Sequence, residues 1–140
     1  MSAPPEQRNI YKGEPARAWI RLQLVAPDER ATEVELLVDT GNPCALIIDT
    51  QTMQTFAWRE SITTDSNFGS LEGGWLRLVI PELAFDVKLL GHANDSVVNV
   101  VQRSDTNFAG LAGLPLLRML EYGGHVGAFW IRPLDEQSGF

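Results

Sequence analysis

Apolar and polar residues alternate along much of this chain with the two-residue period of a half-buried β-strand. Ile20, Leu22 and Leu24 are interleaved with Arg21 and Gln23, and Pro27-Asp28-Glu29 closes the run as a turn. A second strand starts at Glu33, carries Val34, Leu36 and Val38 on one face, and ends at Asp39, before the Gly41-Asn42-Pro43 break. Ala45-Leu46-Ile47-Ile48 is continuously apolar, the pattern of a strand buried on both faces. Further strands are predicted over residues 75–80 and 83–90, joined at Pro81-Glu82, the second alternating through Leu83, Phe85, Val87 and Leu89. Residues 97–101 and 126–131 read as strands too.

Helical signals are fewer. Asp49 or Thr50 can cap a short helix running towards Trp58. The clearer helix has Pro115 in its first turn, Leu116, Leu117 and Leu120 on its apolar side, and Gly123-Gly124 as its stop. Many strands with one or two short helices make an all-β fold, a small barrel or folded sheet. The first nine residues hold Pro4 and Pro5 but few large apolar side chains, so they read as a loose arm, extended here to residue 16. No linker interrupts residues 17–140, which are expected to form one domain.

Composition narrows the function classes. At 140 residues, 44% hydrophobic and 21% charged, the chain can bury the core of one globular domain. A formal net charge of −7 argues against nucleic acid as a partner. No apolar run approaches the roughly 20 residues that span a bilayer, and Ser2 to Gln7 lacks the basic start and apolar stretch of a leader. Neither a membrane partner nor secretion is expected. Cys44 is the only cysteine, which suits a reducing, cytoplasmic setting. Beside Ala45 and Leu46, with no cation adjoining, it reads as a small core residue rather than a nucleophile.

His92 and His125 lie far apart without ligand spacing, so no metal is expected. Residues 69–74 are glycine-rich but lack the Lys and following helix of a phosphate loop, and no cofactor is implied. Trp19, Phe85, Phe129 and Trp130 fall in apolar strands and are expected in the core or an interface. Trp58 and Trp75 flank the glycine-rich segment, and Trp75 is expected to be buried beneath it.

The strongest chemical signal is Leu36-Leu37-Val38-Asp39-Thr40-Gly41. An apolar strand delivers a carboxylate to a tight turn, where its oxygens can face a cleft. Gly41 lets the backbone come close and keeps an N–H near the carboxylate. The Thr40 hydroxyl can lock the turn by bonding to adjacent backbone. A second segment, residues 108–117, reads Phe-Ala-Gly-Leu-Ala-Gly-Leu-Pro-Leu-Leu.

These two motifs, at this separation, resemble the retropepsin-like aspartic proteases. The resemblance covers roughly residues 17–132 in strand order and implies a small closed acid-protease barrel. It makes Asp39 the catalytic carboxylate. Thr40 and Gly41 would support the catalytic turn, together with the buttressing strand that carries Leu111, Ala112 and Gly113. Between the motifs the family carries a glycine-bearing flap, for which Phe68, Gly69, Gly73 and Gly74 are the candidates. An ordinary flexible loop is the alternative for that segment.

Aspartic proteases share one proton between two carboxylates. Asp49-Thr50 continues into Gln51 and Asp105-Thr106 into Asn107, so the chain carries one complete triplet. The implied enzyme is an aspartic endopeptidase acting on a peptide or protein substrate as a homodimer, with one Asp39 from each chain. Residues 127–132, with Phe129 and Trp130, could join the two chains or complete their own chain's sheet. Asn42 and Pro43 follow the triplet where the family has Ala, Ser or Thr, and Leu114 stands where the family has Arg. Arg118 follows one helical turn later. Those departures keep a second reading open, a non-catalytic module of the same fold that binds peptides or proteins. A third takes the triplet as an ordinary Asp-capped turn in an unrelated β-domain.

Overall fold

The computed structural model describes residues 5–60, 64–66 and 69–134. Along them run β1 (Gln7–Ile10), β2 (Trp19–Val25), β3 (Ala31–Asp39), β4 (Leu46–Ile48), α1 (Thr50–Phe56), β5 (Arg59–Glu60), β6 (Thr64–Ser66) and β7 (Gly69–Ile80). They are followed by β8 (Phe85–Ala93), α2 (Asp95–Gln102), β9 (Phe108–Gly113), α3 (Leu114–Leu117), β10 (Leu120–Gly124) and β11 (Ala128–Pro133). The fold is all-β. Strands β2, β3, β9, β4, β8 and β7 pair in that order, and β2 returns to β7 to close a six-stranded barrel. Closure removes the unpaired edges an open sheet would expose.

The alternation seen in the sequence sets which face turns inward. Ile20, Leu22 and Leu24 of β2 are fully buried, and Ile20 stands opposite Leu36 of β3. Leu76, Leu78 and Ile80 of β7 face the same interior. β4 is buried on both sides, because Leu46 and Ile48 join that core while Ile47 joins a second cluster with Leu37, Cys44, Val101, Phe108 and Leu111. Each fully buried Leu or Ile contributes roughly 2 kcal/mol relative to exposure, so both clusters hold the barrel together.

Several expectations are corrected. Residues 97–101 lie in α2, not in a strand. Asn94 caps that helix by accepting from the Val97 N–H, Asp95 sits in its first turn, and Val98 and Val101 are buried on one face. Valine's β preference is weak beside such packing. The helix expected after Pro115 is the single turn α3, because Leu120 to Gly124 leave it to pair with β11. Among the described residues the barrel carries three short α-helices, consistent with the expected all-β barrel with few helices. Leu83 belongs to a one-turn 3-10 segment, Pro81–Leu83, that precedes β8.

The N-terminal arm is also corrected. Residues 7–10 form β1, which pairs with β11, and β11 pairs on its other side with β10. Gln7 and Asn9 are buried at 3% and 4% exposure, so this part of the arm is packed and not loose. β11 thus has both edges occupied within its own chain, in a three-stranded sheet beside the barrel. No helix among the described residues is long and apolar enough to cross a membrane.

Candidate functional site

Asp39 is the last residue of β3, and its position is decided by β9. That strand runs between β3 and β4, parallel to the first and antiparallel to the second. Asp39 stands opposite Gly113, Val38 opposite Ala112, and Leu37 opposite Leu111. The triplet is therefore built into a crossing of three strands, not an isolated turn. The expected supporting residues Leu111, Ala112 and Gly113 lie beside it.

Two glycines make the crossing sterically possible. A Cβ at Gly110 would collide with the Ile47 carbonyl oxygen, and one at Gly113 with the Cys44 carbonyl oxygen. Gly110, absent from the expected site, is as constrained as Gly113. Gly41 differs, since a Cβ there would meet only Asp39 Oδ1, at an ordinary 3.5 Å. Its φ is not left-handed either. The single chain does not need a glycine at 41, and the space beside it is open.

The turn itself is closed by backbone. Gly41 N–H donates to Asp39 Oδ1 at 3.1 Å, and Asn42 N–H donates to the Asp39 carbonyl at 3.1 Å. Thr40 is exposed. Asn42 is 2% exposed and accepts through Oδ1 from Cys44 N–H at 3.0 Å, bridging Pro43, which has no N–H of its own. The Asn42 carbonyl accepts from Leu114 N–H at 3.2 Å and the Ala45 carbonyl from Gly113 N–H at 2.9 Å. The Asn-Pro pair thus ties the turn to the end of β9. Arg118 is exposed.

Asp39 also lines a groove of about 440 Å³, whose other lining residues are Leu111 and Asn94, Ser96, Val97, Val100 and Val101 of α2 and its cap. Among the described residues that line it, Asp39 is the one carboxylate. The α2 residues were missed in the sequence because the five residues 97–101, four of them valine, read as a strand. The signal that could have found them is Asn94-Asp95, an N-cap followed by an acid in the first turn.

The flap candidates divide. Phe68 lies outside the described residues. Gly69 begins β7, where β6 and β7 pair as a hairpin with Ser66 opposite Gly69. Gly73 and Gly74 sit deeper, buried in the ladder opposite His92 and Gly91 of β8. Trp75 is 41% exposed, correcting the expectation that it is buried. Trp58 is pinned by its Nε1–H to the Val25 carbonyl at 2.6 Å and by Lys88, whose Nζ lies 3.8 Å above the ring.

The remaining chemistry-bearing residues stand apart. Cys44 is buried, and desolvation pushes its thiol above the usual range, opposite to a reactive thiolate. His92 is 6% exposed, and burial lowers its pKa. Neither ring nitrogen finds a partner among the described residues. His125 is exposed on the far loop. Among the described residues no group of three or more His, Cys, Asp or Glu is placed to hold a metal. A scan against protein-family models, a search of curated proteins and a search of solved structures each returned no match.

Proposed function

We propose that the protein is an aspartic endopeptidase that hydrolyses peptide bonds as a homodimer. The observation that carries this reading is the placement of Asp39, at the end of a strand wedged against β9, with a backbone N–H on one carboxylate oxygen and open space beside Gly41. A backbone donor holds the carboxylate in one orientation without neutralising it. Two such carboxylates, one from each protomer, would share a proton.

In that dyad the ionised carboxylate takes a proton from water as the oxygen attacks the scissile carbonyl carbon. The protonated carboxyl donates to the carbonyl oxygen. Collapse of the tetrahedral intermediate breaks the C–N bond as the nitrogen takes up a proton. The β6–β7 hairpin supplies a strand that can add backbone hydrogen bonds to an extended substrate. A cytoplasmic setting fits the single buried Cys44.

Purified protein and its Asp39→Asn variant are incubated with a diverse peptide mixture between about pH 4 and 7, the range a carboxylate dyad favours. New peptide ends from wild type alone, formed at a rate that rises more steeply than linearly with protein concentration, are expected. A folded, dimeric wild type that cleaves nothing would refute the enzyme. A second reading, a peptide- or protein-binding module, is favoured by the groove beside Asp39, whose described lining residues all come from one chain. Unchanged peptide binding with no cleavage in wild type selects it.

A further inference from the structure

The ends of three strands meet on one buried side chain, Asn42, which is 2% exposed. Its N–H donates to the carbonyl of Asp39 itself at 3.1 Å, closing the end of β3. Its carbonyl accepts from Leu114 N–H at 3.2 Å, one residue past β9. Its Oδ1 accepts from Cys44 N–H at 3.0 Å, two residues before β4. Pro43 offers no N–H, so a side-chain acceptor at 42 is what reaches across it to the next donor. The Cys44 bond also fixes how the carboxamide faces, with Oδ1 towards that N–H and Nδ2 away from it. There Nδ2 is buried and has no hydrogen-bond partner among the described residues.

Stability does not account for this side chain. It makes one hydrogen bond and buries one donor unpaired, and an orphaned buried donor costs at least as much as a single bond returns. Gly41 supplies no restraint of its own, since it is exposed and a Cβ there would meet only Asp39 Oδ1. We propose that Asn42 is a positioning residue, holding the turn over residues 39–44 in the conformation that keeps Gly41 N–H on Asp39 Oδ1 and so fixing where the carboxylate points. The resembling family has Ala, Ser or Thr at this place, so the role belongs to this chain. Alanine has no acceptor to offer Cys44 N–H, whereas a serine hydroxyl can accept from the N–H two residues on. The inference deepens the protease reading and rests on it for the chemistry, not for the direction of the carboxylate.

Amide exchange tests it apart from catalysis. Wild type, Asn42→Ala and Asn42→Ser are compared by amide hydrogen exchange and by kinetics on the peptide wild type cleaves best. In Asn42→Ala the Gly41 amide is expected to exchange roughly tenfold or more faster, while the barrel amides of Leu22 and Leu78 keep their rates. Its kcat should fall roughly tenfold to a hundredfold with KM within about twofold, the signature of a misdirected catalytic group. Asn42→Ser should recover most of both. Unchanged Gly41 exchange in Asn42→Ala, an acceleration that the barrel amides share, a loss carried by KM, or a serine variant no better than alanine would each overturn the proposal. The expected exchange pattern in a folded, dimeric protein that cleaves nothing would sink the protease and leave the positioning of Asp39 standing. Cleavage with an undiminished kcat in Asn42→Ala would sink the positioning and leave the protease.

Discussion

Three glycines near the triplet carry different constraints, and alanine separates them. At Gly110 and Gly113 a methyl would enter a backbone carbonyl of the β4 side, and backbone cannot rotate away as a side chain can. Gly110→Ala and Gly113→Ala should each cost about 3 kcal/mol or more, read as a fall in the urea midpoint or a failure to fold. Gly41→Ala meets only a carboxylate oxygen at van der Waals distance, so its stability should stay within about 0.5 kcal/mol of wild type. Peptide cleavage by that variant should fall, because the methyl occupies the space beside the carboxylate. His92 sets a pH dependence at the same scale. Burial lowers its folded-state pKa below the ordinary 6.5, so the unfolded chain binds more protons in the window just below that value. Stability is full above the unfolded pKa and declines as pH drops through the window towards the folded pKa. The urea midpoint of wild type should fall from pH 7 to 5, and that of His92→Leu should fall less. A parallel decline in both proteins would exclude His92 as the cause. Glu6, Asp28 and Asp86, whose pKa values are lowered mainly by hydrogen bonds, act only at more acidic pH and affect both proteins alike.

At the scale of elements, α2 is where local preference and tertiary context diverge. Val97, Val98, Val100 and Val101 have the composition of a strand, yet the segment is helical because Asn94 satisfies a free N–H at its start and the helix can pack on β9 and β4. Asn94→Ala removes the 3.0 Å cap on Val97 and should cost about 1 kcal/mol, measured by denaturation. α3 shows the opposite outcome. Its Pro115 start was legible, but its length was not, because Leu120 is claimed by the pairing of β10 with β11. Strands β2 and β3 were legible from alternation, β4 from its unbroken apolar run, and β7 only over residues 75–80, since those stretches have one or two faces in a continuous core.

For the whole molecule, the join between the three-stranded sheet and the barrel runs through two buried amides. Gln7 accepts from Arg21 N–H at 2.7 Å and donates to the Arg21 carbonyl at 2.8 Å, as a neighbouring strand would. Asn9 donates to Gln7 Oε1 at 2.9 Å and to the Trp19 carbonyl at 3.1 Å. Gln7→Ala strands both backbone groups of Arg21 and should cost about 2 kcal/mol, seen as a lower urea midpoint. No signal along the sequence announces this, since a polar N-terminal stretch looks the same whether solvated or fully bonded. Periodicity determined the β class, the strands that line the core, and the turn that carries Asp39, because side-chain alternation is a local consequence of the pleat. The tertiary structure alone decided that β9 passes between β3 and β4, that two glycines must stand where it does, and that a valine-rich helix walls the groove at Asp39. Those features depend on which distant segments meet, and pairing between segments some seventy residues apart leaves no period in either one.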